Sequence, residues 1–71
     1  MTTQEILTAN FWSAYRNSIT YYSNSAHLTM TAANGKFYVA GNRFVEKDIL
    51  PVSRTFENKI EAEDFVANLI K

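Results

Sequence analysis

The dipeptide Asn34-Gly35 sits between two runs of alternating residues, His27 to Ala33 and Lys36 to Ala40. This is the strongest short-range hairpin signal a sequence can carry, because both loop residues of such a turn need a positive φ that asparagine and glycine tolerate. A two-residue loop there predicts the pairs Ala33 with Lys36, Ala32 with Phe37, Thr31 with Tyr38 and Met30 with Val39. Side chains alternate across a sheet, so Leu28, Met30, Ala32, Phe37 and Val39 share one face. His27, Thr29, Thr31, Lys36 and Tyr38 share the other. The first set is apolar and predicts a core; the second predicts a solvent face. Turn and pattern agree, and that agreement constrains the rest of the chain.

Helices are expected on either side of the hairpin. Thr2 and Glu5 have capping-box spacing, and Leu7, Phe11, Ala14, Tyr15 and Ser18 recur with a helical period, so a helix is read from Thr3 to Asn17. Trp12 is expected to close the edge of the core. Ser18 to Ala26 mixes strand-type residues with turn chemistry, so it is either a loop or a short strand ahead of the hairpin, and a loop carrying two tyrosines is the preferred reading. Gly41-Asn42 reads as a second turn, which leaves a short, irregular third strand. Ile49 to Phe56 is extended, and Pro51 confines it to a sheet edge if it pairs at all. Asn58 and Glu61 start a C-terminal helix whose apolar stripe is Ala62, Phe65, Val66, Leu69 and Ile70. The expected fold is therefore α+β: a helix, an antiparallel hairpin with one further strand, and a helix, both helices on one sheet face.

At 71 residues the chain is read as one domain over 1–71, with 46% apolar and 14% aromatic residues to stabilise a small core. It contains no cysteine, which excludes disulfides, thiolate nucleophiles and thiolate metal sites and fits a cytoplasmic location. No membrane-spanning run and no leader pattern is read. Seven basic residues balance seven acidic ones, which disfavours a dedicated nucleic-acid binder. The acids concentrate in the last third, so one mildly positive and one negative side are expected.

No constellation in the sequence carries catalysis. His27 has no acid near it in sequence, and an acid–base pair needs both partners. The carboxylates lack the turn spacing of a hard-cation loop, and no glycine-rich phosphate loop exists. No enzyme, no metal site and no cofactor is expected. What remains is a set of exposed aromatic and basic residues: Arg16, Tyr21 or Tyr22, and Tyr38, joined on the hairpin face by His27, Thr29, Thr31 and Lys36, with Arg43 nearby. Exposed tyrosine beside arginine is the chemistry of interface hot spots. The preferred expectation is a non-enzymatic protein-binding module, of the kind found as small accessory or inhibitor proteins of phages and mobile elements, acting by contact with a larger partner. The alternative is a weak single-stranded nucleic-acid binder using Tyr38, Lys36, His27 and Arg43. A homodimer through the sheet edge or the open face is compatible with either.

Overall fold

The computed structural model describes all 71 residues. A short helix, α1 (Thr3–Ala9), leads into five strands: β1 (Phe11–Tyr15), β2 (Ser18–Tyr22), β3 (Ala26–Ala33), β4 (Lys36–Val45) and β5 (Asp48–Phe56). A longer helix, α2 (Lys59–Ile70), ends the chain. The strands form one antiparallel sheet in the order β1-β2-β3-β4-β5, so every strand pairs only with its neighbours in sequence. No helix is long and apolar enough to cross a membrane.

The hairpin register is the one the sequence predicts: Ala33 pairs with Lys36, Thr31 with Tyr38 and Met30 with Val39. Asn34 and Gly35 have φ of 55° and 74°, which satisfies the positive-φ demand of the tight turn. Leu28, Met30 and Val39 enter the core with Leu7 and Tyr21 from the N-terminal elements and Ala62, Val66 and Ile70 from α2. Both helices therefore lie on the same side of the sheet. Thr3 donates to the Asp64 carboxylate at 2.9 Å and Gln4 to Glu63 at 3.0 Å, joining α1 to α2. Each helix has its expected cap. Thr2 and Glu5 complete a capping box, and Asn58 accepts from the Glu61 N–H.

Three expectations are corrected. First, the N-terminal helix stops at Ala9 and does not run to Asn17. Asn10 turns its side-chain amide onto the Ile6 carbonyl at 2.8 Å, and its own N–H shares the carbonyls of Ile6 and Leu7. That local capping frees Phe11-Trp12-Ser13-Ala14-Tyr15, rich in strand-forming aromatics, to pair with β2. Second, Ser18–Tyr22 is a strand, and only the residues after it form a loop. Third, Gly41-Asn42 is no turn. β4 runs through it to Val45, Gly41 pairing with Leu28 on one side and Val52 on the other. The reversal comes later, where Glu46 takes a φ of 55°. The sheet thus has five strands where three were expected. β5 does pair, and it is an edge, as Pro51 requires.

Candidate functional site

Strand alternation sorts the sheet into two surfaces. One is covered by the helices. The other is open, and no element of the chain crosses it. Its middle is built from hydroxyl pairs: Ser18 lies 2.9 Å from Thr31 and Thr20 lies 3.0 Å from Thr29, side chain to side chain across β2 and β3. These bonds satisfy the hydroxyls within the sheet and stiffen its centre without placing charge there.

At one end of the open face a band of large side chains crosses the sheet. Tyr22 is its hub. Its ring lies 5.7 Å from Trp12, 5.4 Å from His27 in an edge-on arrangement, and 6.4 Å from Phe44. Phe44 pairs with Ile49 on the outer strand. The band therefore draws one residue from each strand, Trp12, Tyr22, His27, Phe44 and Ile49. Trp12 is 68% exposed, Tyr22 47% and Ile49 66%, so much of this apolar surface meets solvent. Edge-on aromatic contacts add roughly 0.5–1.5 kcal/mol each beyond area burial, which fixes the rings in place before anything binds.

Charge is nearly absent from this face. Lys36 and Glu57 sit at its far corner, where they pair with each other at 3.8 Å. The acids Glu61, Glu63 and Asp64 all belong to α2, on the opposite side of the molecule.

The residues singled out in the sequence do not form one cluster. Tyr22 and His27 belong to the aromatic band. Thr29, Thr31 and Tyr38 occupy the middle of the open face. Lys36 lies at the other end of the hairpin from His27, about 20 Å away at the rise of a strand. Arg16 is in the β1–β2 turn with a φ of 55°, its guanidinium 5.2 Å from the Tyr15 ring. Two residues lie elsewhere. Tyr21 is 5% exposed and part of the core, so its ring supports the sheet from below and is removed from the contact set. Arg43 pairs with the fully buried Ala26, which puts it on the helix side. Trp12 is likewise corrected: its ring stands on the open face and closes no core.

Trp12, Phe44 and Ile49 were missed as surface residues for a common reason. Their assignment depends on β1 and the second half of β4 being strands. Once Phe11–Tyr15 is read as a strand and β4 as continuous, alternation alone places Phe44 and Ile49 beside Tyr22.

The chemical possibilities of the face are narrow. His27 stands between Tyr22 and Asn42 in the register, with no carboxylate opposite it. No three histidine, cysteine or acidic side chains converge anywhere on the molecule. A small open groove of about 250 Å³ lies between α1 and β1, lined by Gln4, Leu7, Thr8, Phe11 and Tyr21.

Tyr21 reports on the core beneath. Burial, reinforced by the Glu63 carboxylate, holds its phenol above the ordinary value of 10.0. The unfolded chain therefore loses this proton first as pH climbs. The stabilisation is complete below about pH 10 and is lost as pH rises through the folded value. Tyr21→Phe is expected to flatten this alkaline loss in urea titrations repeated across pH. An unchanged alkaline slope would assign the loss to other groups.

No protein-family model, curated protein or solved structure matched the chain.

Proposed function

We propose that the chain is a non-enzymatic protein-binding module that engages a larger partner through its open sheet face, in the manner of a small accessory or inhibitor protein. The observation that supports this reading is the aromatic band. Large, half-exposed rings already locked against one another lose little conformational entropy on binding. The surrounding hydroxyls offer adaptable hydrogen bonds, and the lack of charge lowers the cost of desolvation. Tyrosine and tryptophan among serine, threonine and asparagine is also the composition of antibody combining surfaces.

Single-stranded nucleic-acid binding draws less support. It needs stacking rings flanked by several cations that follow a backbone. Here Lys36 is remote from His27 and engaged with Glu57, and Arg43 faces the other way.

Salt and one substitution test the reading. Partner capture from host lysate is expected to change little between low and high salt. Tyr22→Ala should weaken it by about 30-fold, the equivalent of a hot-spot loss near 2 kcal/mol. Capture that collapses with salt, together with binding of labelled oligonucleotides, would transfer the face to nucleic acid. Capture indifferent to Tyr22→Ala would move the contact off this band.

A further inference from the structure

The two edges of the sheet are built differently, and we infer that β1 is a seam at which a second copy of this chain adds antiparallel about Ala14, continuing the sheet across a two-fold axis. This inference does not rest on the reading of the open face.

The argument begins with which backbone groups are free. The Ala32 N–H donates to the Asn17 carbonyl at 3.0 Å. In an antiparallel ladder that bond turns the backbone groups of Ser18 away from β3 and toward β1. Ser18 pairs with Tyr15, so Tyr15 exchanges its hydrogen bonds with β2. The next residue inward, Ala14, must then direct its N–H and C=O at the open edge. These groups have no partner strand.

The same logic at β5 gives the opposite result. The Phe44 N–H donates to the Ser25 carbonyl at 2.9 Å, which turns the groups of Arg43 toward β5 and its partner Leu50. Pro51, one residue on, therefore has its ring nitrogen on the free edge. The middle of that edge lacks a donor, and Asp48 and Arg54 add charge along it. Proline and charge are the usual guards against edge-to-edge pairing. β1 has neither. Its five residues are Phe11, Trp12, Ser13, Ala14 and Tyr15, with Trp12 68% and Tyr15 71% exposed.

β1 is also complementary to itself. Pairing Ala14 with Ala14 of the second copy forms two N–H···O=C bonds across the axis. It sets Tyr15 opposite Ser13 and brings each Tyr15 ring beside Trp12 of the other copy. Arg16 falls opposite Trp12 and not opposite another arginine, so no like charges meet. The exposed parts of Phe11, Trp12 and Tyr15 amount to about 300–500 Å² per copy, given about 150–250 Å² for each buried aromatic. Stable interfaces bury about 800 Å² per partner, so the seam falls short of that size and the dimer is a weak, transient one.

The absence of cysteine makes the test clean. Residues facing each other in such a hydrogen-bonded pair have Cα atoms about 5.5 Å apart, within the span of a disulfide. Ala14→Cys is expected to oxidise to a covalent dimer under mild conditions, whereas Ser53→Cys on the guarded edge stays monomeric. Sedimentation of the wild type from micromolar to millimolar concentration should show a monomer–dimer equilibrium. Ala14→Lys, at an exposed position, should raise its dissociation constant at least about tenfold by setting like charges together, with an unchanged melting curve. A wild type that stays monomeric at millimolar concentration overturns the inference. So does equal cross-linking at Ser53, or a dimer indifferent to Ala14→Lys.

Discussion

Gly41→Ala is expected to lose about 2–6 kcal/mol of folding stability, from roughly 1–3 for a backbone conformation that is essentially glycine-only and roughly 1–3 for forced overpacking. Gly41 has a φ of 152°, and a Cβ built on it would lie 2.0 Å from the His27 carbonyl oxygen and 3.0 Å from the Leu28 Cα. Both obstacles are backbone, so no rotamer change relieves them. β3 and β4 would have to part at the centre of the sheet. A domain of this length has about 4–10 kcal/mol in total. The variant should therefore be largely unfolded or melt far below the wild type. Gly35→Ala is the control, since φ is 74° there but nothing lies within 4 Å of the added atom. It should cost only about 1 kcal/mol. Thermal melts followed by circular dichroism would rank the three proteins; equal melting of the two variants would remove the steric argument.

The second large effect is at Leu28. Its side chain is fully buried among residues of both helices and three strands, and Leu28→Ala should cost about 2.7–5 kcal/mol. The informative comparison is Phe65, the larger side chain and an expected member of the α2 stripe. Phe65 is only half-buried: its ring lies 5.2 Å from Phe56, with the Arg54 guanidinium 5.1 Å from its centre. Removing it strips the rim and opens no sealed cavity, so Phe65→Ala should cost about 1–3 kcal/mol. Urea midpoints measured side by side decide the order. A greater loss at Phe65 would mean that the rim, with Arg54 across it, carries more of the stability than the enclosed centre.

The sequence revealed the parts where a local signal and the hydrophobic pattern coincide. The Asn34-Gly35 turn fixed a register, and the register placed Leu28, Met30 and Val39 inward without further information. Pro51 announced an edge, and the α2 stripe needed only its period. The failures have physical causes. Leu7, Phe11, Ala14 and Tyr15 imitate a helical stripe, while a bulge between Phe11 and Ser13 hides the alternation that would mark a strand. Gly41-Asn42 has the composition of a turn, but glycine is needed there because two strands approach too closely for a Cβ. Those two misreadings concealed the site. With Phe11–Tyr15 taken as helix and Gly41-Asn42 as a turn, Trp12 goes to the core edge, Phe44 has no fixed neighbour, and the band around Tyr22 does not assemble.

The hydrogen bonds from Thr3 to Asp64 and from Gln4 to Glu63 join opposite ends of a chain whose sheet is otherwise made only of neighbouring strands. The sheet can therefore grow hairpin by hairpin, each step closing a short loop at small entropic cost. Docking α1 on α2 is different, since it joins residues 61 apart in the chain and waits for the sheet between them to bring both helices to one face. Such a contact forms late in folding and opens early. α1, whose one buried residue is Leu7, is thus expected to loosen before the five strands and α2 do.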